Sequence, residues 1–558
     1  MKVLNINDAT PKIGKNAIEN LTISMYDDPR IIYREYIQNS CDQIDKAMTS
    51  NSFPHEELII DIKINLKKRY ISIYDNANGI PSAEVKTRLG DIADSQKTRG
   101  KERGFRGIGR LGGLAYCREL RFTTSYIGED HQTTMIWDAK KLRDLLADKN
   151  VHDSAEDVLV KVIRYETSPC DTQKHFFQVE LIDVNKENDS LLDTEDIKAY
   201  VSEVAPVEYV NTFYYRTEIY RFLDEHKDEL PNLSRYTIFV NDEEMFRNYP
   251  TRIYKVDNNN KKTLVDEIKK IHMDIIRNSQ GNVIAWVWFG ISTFNGQINA
   301  KGNPMRGIRI RQDNIEIGNE KTISKFFKQD RGYGYYMGEI HTNSKLLIPN
   351  ARRDYFVETP ALREFEDSIQ AYIDTYLNQL YQQANVFNKR FDDIQGYNSK
   401  KEEYEEAKIK GFKSLQIRNR MQEDLKKAES KAKKAKNTIS NMKKKAEEQG
   451  DTSPYSEMIQ AILNSKKAKK VQDEKKKNDS KAKSAQNSSK YNKKKTGNSE
   501  NKYKKNKDKL IVDDLPFGRR EKKIISRIYD VISANTAPDI SDALITKIQE
   551  ELKKPHVS

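Results

Sequence analysis

The chain is predicted to be an α+β protein of several domains that ends in helical and unstructured segments. Three observations predict it. Strand-like stretches alternating apolar and polar residues recur among helical ones over the first 365 residues. An apolar seam of heptad spacing begins at Met421. A lysine-rich stretch with almost nothing apolar then breaks the pattern, and order returns near the C-terminus.

The segment Arg34 to Lys46 reads REYIQNSCDQIDK. Glu35, Asn39 and Asp42 fall at i, i+4 and i+7, so a helix places them on one face. That face offers a carboxylate able to take a proton from water, an amide oxygen able to ligate Mg²⁺, and a second carboxylate. Taken alone, it reads equally as the polar face of a surface helix.

Leu58 to Ile64 and Tyr70 to Tyr74 are β-rich, largely alternating and separated by a polar turn, so they are expected to form a hairpin. It runs into Asp75-Asn76-Ala77-Asn78-Gly79-Ile80. A carboxylate at a strand end can accept a hydrogen bond while the backbone at Gly79 passes close to a flat ring. The plain alternative is an Asp-Asn turn. Farther on, Gly104-Phe105-Arg106-Gly107-Ile108-Gly109-Arg110-Leu111-Gly112-Gly113 can present backbone N–H groups to phosphates. It lacks the βαβ context of a dinucleotide fingerprint and the Gly-Lys-Ser/Thr ending of a Walker loop.

In order, E-x3-N-x2-D, D-x-A-x-G, S-Q-K and G-x2-G-x-G resemble the motifs of the GHKL ATPase superfamily: gyrase B, heat-shock chaperones, histidine kinases, MutL and the MORC proteins. Arg88 to Tyr116 is most similar to the lid and phosphate loop of the HtpG-type chaperones. The resemblance covers roughly residues 10 to 200 and extends more weakly to about 365. It implies a Bergerat-type ATP-binding sandwich over residues 1–204 and an α/β transducer domain over 205–365. It also implies roles. Glu35 would be the general base that activates water, and Asn39 would ligate Mg²⁺. Asp75 would accept a hydrogen bond from the adenine amino group, and Asp42 would organise water around the purine. Gly104, Gly107, Ile108 and Gly109 would cradle phosphates, with Lys97 nearby on the lid. The sequence departs from the family at Ala77, where a glycine is usual. The adenine-side threonine is not placed, with Thr123, Thr124 and Thr172 as candidates.

Asn350-Ala351-Arg352-Arg353-Asp354 resembles the middle-domain segment of the same chaperones, whose arginine reaches the γ-phosphate. By that match Arg353 is the expected residue and Arg352 the second choice. Lys301 is an alternative because MutL and gyrase use a lysine from this domain. More than three hundred residues separate Arg353 from Glu35, so domain closure is expected to join them. The plain reading is a surface arginine pair beside Asp354.

The 558 residues suffice for three or four domains. Mean hydropathy is −0.84 and 32% of residues are charged, so part of the chain is expected to lie outside any core. No apolar run approaches ~18 residues and the N-terminus lacks an apolar signal core, so a cytoplasmic protein without a membrane partner is expected. Cys41, Cys117 and Cys170 lack metal-ligand spacing.

The formal net charge is +13. Between Lys466 and Lys509 lie 18 lysines and 5 acidic residues, so the rest of the chain is formally neutral. This stretch is expected to be disordered and to bind polyanions without sequence preference. Nucleic acid is favoured over anionic membrane because the stretch lacks an apolar anchor. Tyr491 and Tyr503 could stack on bases, and a solubilising linker is the alternative.

Residues 366–450 are expected to form long helices and a coiled coil. Met421, Leu425, Ala428, Ala432, Ala435, Ile439, Met442 and Ala446 make the seam, and its alanines bury little area. Residues 451–510 form the basic linker, and 511–558 a small helical module for docking or dimerisation. The expected function is an ATP-gated homodimeric clamp on nucleic acid, MORC- or MutL-like, in bacterial DNA maintenance or anti-phage defence. A partner protein would supply any nuclease or effector activity. The alternatives are a heat-shock-type chaperone acting on protein clients and a nucleotide-gated scaffold with little turnover.

Overall fold

The structure is a computed structural model. It describes residues 13–22, 26–53, 55, 57–92, 107–343, 347–450, 452–468, 525, 528, 529, 532 and 538–552. The strands of the first sheet are β1 (Ile59–Asn65), β2 (Tyr70–Asp75), β3 (Cys117–Ser125), β4 (His131–Asp138), β5 (Ile163–Pro169), β6 (Phe176–Val184), β7 (Thr237–Val240) and β8 (Glu243–Glu244), in the order β5-β4-β3-β6-β2-β1-β7-β8. The expected hairpin is β1–β2, antiparallel with Ile62 opposite Ile73. Alternate residues of β1 are buried, as period-2 patterning requires. Helices α1 (Asn16–Thr22), α2 (Ile31–Thr49), α3 (Val85–Gly90), α4 (Ala139–Ala147), α5 (Ala155–Val162) and α6 (Thr194–Val204) belong to the same body. Ile32, Tyr33, Tyr36, Ile37, Cys41 and Ile44 of α2 enter its core. A capping box between Ser154 and Asp157 fixes the start of α5.

Strand β7 pairs parallel to β1, with Ile238 opposite Ile60. The expected boundary at residue 204 is therefore crossed: a strand from beyond it completes the first sheet. Apolar Ile238 and Val240 alternate inward and find their burial there.

After α7 (Arg216–Glu225) and the ribbon β9 (Arg252–Val256)–β10 (Lys262–Glu267) comes the second sheet. It contains β11 (Lys270–Arg277), β12 (Val283–Ile291), β13 (Gly307–Gln312), β14 (Ile315–Ile317) and β15 (Met337–Thr342), ordered β11-β12-β15-β13-β14. An aromatic cluster of Tyr209, Phe213, Tyr249, Trp286 and Trp288 fills one side of the sheet. The two bodies meet at the fully buried Glu339. Its carboxylate accepts from Arg311 Nε at 2.5 Å and Trp288 Nε1 at 3.1 Å, and contacts Tyr209 and His341. Arg311 and Arg247 also donate to the carbonyls of Glu203 and Ala205 at the end of α6. Removing one partner from such a buried network costs more than its hydrogen bond, because a charge stays uncompensated.

Pro360 opens α8 (Pro360–Tyr372), with Thr359 capping it. A π-helical turn leads into α9 (Asn378–Lys410). Gly411, at φ 82°, ends α9, and Ser414 caps α10 (Leu415–Gln449). The two helices pack as a hairpin. Ala432, Ala435, Ile439, Met442 and Ala446 of the heptad seam are buried. The last three share a core with Phe387 of α9 and with Tyr455, Met458 and Ile462 of α11 (residues 454–468). The seam is thus covered within one chain, which needs no second copy to bury it. Helix α12 (Pro538–Leu552) contributes Ile545, Ile548 and Leu552 to a small cluster with Tyr529. The lysine segment from residue 469 onward and Leu515 to Gly518 lie outside the described residues. Among the described residues no helix is long and apolar enough to cross a membrane.

Candidate functional site

Helix α2 carries Glu35, Asn39 and Asp42 with Glu35 and Asp42 buried and Asn39 half-buried, so this is no free surface face. The apolar side of α2 packs into the core of the first sheet, and the polar side turns toward the loop at Gly107–Ala115. That loop is tied down by its neighbours. The Tyr36 hydroxyl donates to the Arg110 carbonyl at 3.1 Å and accepts from the Gly113 N–H at 3.0 Å. Arg110 Nη1 donates to the Gly107 carbonyl at 2.6 Å, and burial pushes its guanidinium down to about 10.

Gly107 has φ 68°, a conformation that favours glycine. At Gly109 the requirement is space. A Cβ there would stand 2.3 Å from Glu35 Oε2, so the loop backbone lies directly against the carboxylate. Lys97 and Gly104, expected in the lid and phosphate loop, lie outside the described residues.

Asp75 ends β2 and is fully buried. Burial pushes its carboxyl up to about 7, against two hydrogen bonds that favour the charged form. Ser40 Oγ donates to its Oδ2 at 2.7 Å and the Ala77 N–H to its Oδ1 at 3.2 Å. Asp75 and Thr124 both face Phe177 of β6 from the flanking strands. Of the three candidate threonines, Thr124 is the one beside this turn. Its hydroxyl accepts from the Ile80 N–H at 2.8 Å and donates to the Phe176 carbonyl at 2.9 Å. Thr123 faces Thr134 at 3.1 Å, and Thr172 is exposed. Gly79, at φ 68°, packs so closely that a Cβ would overlap the Ser125 carbonyl.

Two residues at this site had no signal in the sequence. Ser40 holds Asp75, yet a serine inside a helix is common. His175 is buried, its Nδ1 3.0 Å from the Ala77 carbonyl, and its ring stacks on Phe53 at 3.6 Å. It closes the turn where a glycine would be the family's usual residue.

Arg353 reaches α2 from the second body. Its Nε lies 3.0 Å from Glu35 Oε1. Arg353 stands at φ 54°, left-handed for a non-glycine residue, and its carbonyl accepts from the Gly318 N–H at 2.9 Å. Such a conformation costs on the order of 1 kcal/mol and persists where the surroundings impose it. Burial lowers the affinity of its guanidinium for a proton, and the Glu35 charge opposes that loss. Arg34 Nη2 donates to the Arg352 carbonyl at 3.0 Å, a second tie between the bodies. Arg352 itself is exposed and lies 3.4 Å from Asp27. Lys301 sits apart, 3.4 Å from the Asp257 carbonyl. The expectation that only domain closure could join Arg353 to Glu35 is corrected: the single chain already brings them together, because the Pro349–Phe356 turn of the second body packs on α2.

Among the described residues no three His, Cys, Asp or Glu side chains cluster as a metal site. A magnesium ion brought by a nucleotide fits this arrangement, since Mg²⁺ needs few protein ligands and takes phosphate oxygens and water for the rest. Asn39 is the half-buried oxygen donor on the Glu35 face.

Residues 31–175 match the model of the family of histidine kinase-, DNA gyrase B- and HSP90-like ATPases. The chain is also similar to the chaperone protein HtpG of Halalkalibacterium halodurans, with 27% identity over 133 residues, 21% of this chain and 21% of that protein. The chain thus matches about a fifth of the length of this curated relative. The match spans α2, the Asp75 turn, the glycine loop and Thr124, and the mixed α+β body that carries them is the one described above. The body built on residues 31–175 belongs to the GHKL-type ATPase superfamily.

Proposed function

We propose that this protein hydrolyses ATP with Mg²⁺ and couples that cycle to movement between its two α/β bodies. The observation that carries the reading is the 3.0 Å ion pair between Glu35 and Arg353, which joins a base on one body to a cation on the other. Glu35 takes a proton from the attacking water, and Asn39 ligates the magnesium ion. Asp75 accepts from the adenine amino group, with Ser40 holding its second oxygen. Gly107, Ile108 and Gly109 present backbone to the phosphates, joined by Lys97 and Gly104. Magnesium neutralises phosphate charge when bound, and Arg353 turns from Glu35 toward the γ-phosphate as charge develops there.

In this reading the nucleotide state gates a homodimeric clamp on nucleic acid, in DNA maintenance or anti-phage defence. Lys466 to Lys509 add sequence-independent affinity, and a partner protein supplies any effector activity. The 18 lysines of that stretch support the nucleic-acid partner. The likeness to HtpG supports a second reading, a chaperone acting on protein clients. Measuring ATPase rate alone and with duplex DNA, RNA or an unfolded protein separates them. Stimulation by nucleic acid is expected. Stimulation by unfolded protein alone turns the reading to the chaperone, and absence of ATP turnover under all conditions removes the enzyme.

A further inference from the structure

We infer that the outward face of α10 is a docking ridge for the phosphate backbone of a nucleic-acid duplex. The inference rests on the reading above for the class of partner and on α10 alone for the site.

Between Lys426 and Lys445 the chain has nine lysines and one acidic residue, Glu429. All nine lysines are exposed. The buried side of the helix, Ala432, Ala435, Ile439, Met442 and Ala446, fixes its rotation against α9 and α11. With that side inward, Lys426, Lys433 and Lys444 share one angular position facing out, since steps of 7 and 11 residues are near-whole turns. Lys427, Lys434 and Lys445 repeat the same steps one residue round the helix. The result is two parallel rows of ammonium groups about 27 Å long, at 1.5 Å per residue. That length matches roughly eight base-pair steps of a duplex strand at 3.4 Å each.

The charge is largely uncompensated. Lys427 pairs with Glu423 at 2.5 Å, and Lys445 lies 5.3 Å over the Tyr455 ring. Among the described residues no ion pair holds the other lysines of the rows. Like charges one turn apart weaken a helix, so the sequence accepts a local cost that a polyanion would remove.

The chemistry between the lysines selects the partner. Ser430, Asn437, Ser440 and Asn441 are exposed there, and no apolar side chain between Lys426 and Lys445 is. A helix that lies on a bilayer needs an apolar face to enter it, and α10 has used that face inside the hairpin. A pair of packed helices, each ~10 Å wide, is too broad for a major groove of ~12 Å. Contact is therefore with the backbone and independent of sequence.

The test uses the full chain and fluorescence anisotropy of labelled 30-base-pair DNA and RNA duplexes at ~50 and ~200 mM salt. The variant Lys426→Gln/Lys433→Gln/Lys434→Gln/Lys444→Gln keeps helix-forming side chains, and circular dichroism checks that it folds. It is expected to bind more than ~10-fold more weakly at low salt, with a flatter salt slope, both alone and combined with deletion of residues 469–509. A control with Lys255, Lys261, Lys262 and Lys321 changed to Gln is expected to bind nearly as the wild type. Wild-type affinity in the ridge variant, or equal loss in the control, overturns the ridge. If the deletion then abolishes binding, the nucleic-acid reading survives without it. If the unaltered chain binds neither duplex, both fall. If it binds anionic phosphatidylglycerol vesicles instead, and the ridge variant loses them, the partner is lipid and the inference is wrong.

Discussion

Arg353 Nε lies 3.0 Å from Glu35 Oε1, and each side chain keeps only 10% of its surface exposed. The pair therefore works in a medium where charges interact strongly and where separating them leaves each uncompensated. The same two side chains are the ones expected to act on water and on the γ-phosphate. In the proposed reading their ion pair is a resting arrangement that a bound nucleotide would exchange for another.

Glu35→Ala is expected to retain ATP binding and to lose hydrolysis by ~10² or more, the usual scale for a general base. Steady-state turnover beside calorimetric ATP binding checks it. Turnover at the wild-type rate takes the base role away from Glu35.

Arg353→Ala is expected to lower turnover by ~10-fold or more and to change ATP affinity less, because a cation aimed at developing charge acts mainly in the transition state. It also leaves Glu35 buried without its partner, so a loss of stability on the order of 1–3 kcal/mol is expected. Arg352→Ala and Lys301→Ala, whose residues lie elsewhere, should stay near wild type in both measurements. A slow Lys301→Ala variant with a normal Arg353→Ala variant reassigns the role.

Much of this site was legible in the chain because its chemistry is local. Glu35, Asn39 and Asp42 are three positions on one helix, and the period of 3.6 residues suffices to place them together. Asp75 and Gly79 belong to one strand end. Ser40 and His175 were not legible, because their roles depend on the register of β2 against β6 and on a ring stacked on Phe53. The reach of Arg353 depends on how two bodies pack, which no pattern within either announces. The strand Thr237–Val240 lies beyond the expected boundary at residue 204 yet joins the first sheet, since strand propensity names no partner. The heptad spacing marks a seam of which Ala432 to Ala446 is buried and Met421, Leu425 and Ala428 only half-buried, and the helices that cover its end, α9 and α11, come from the same chain.

Gly109→Ala tests the contact between loop and base. Its Cβ would stand 2.3 Å from Glu35 Oε2, too close for either group to stay in place. The carboxylate is expected to be displaced, with turnover reduced ~10-fold or more while the fold is kept, because the clash is with the end of a side chain and the φ of Gly109 is not left-handed. Activity at the wild-type level would show that the loop can move without cost.

Asp75 sets a pH dependence whose sign follows from its environment. Burial raises its carboxyl from 3.8 to about 7 in the folded chain. Its contribution to stability is then fully present below about 4 and is lost as pH rises through about 7, at up to about 1.4 kcal/mol per pH unit. Asp75→Asn carries no such titration, so the stability of the variant relative to wild type should rise between about pH 4 and pH 7 and level off above. Comparing the two proteins cancels other raised carboxyls, such as Glu203, which burial also brings to about 7. Nucleotide binding should run the other way. An ionised Asp75 is the stronger acceptor for the adenine amino group, so ATP affinity of the wild type should increase through pH 7 and level off above it. Asp75→Asn should bind ATP far more weakly, because the amide can turn a donor toward that amino group, and what binding remains should not follow pH. Calorimetric titrations with ATP at three pH values, run beside melting curves, measure both effects. Equal affinity in the two proteins at all three pH values would remove Asp75 from the adenine pocket and leave it a purely structural carboxyl.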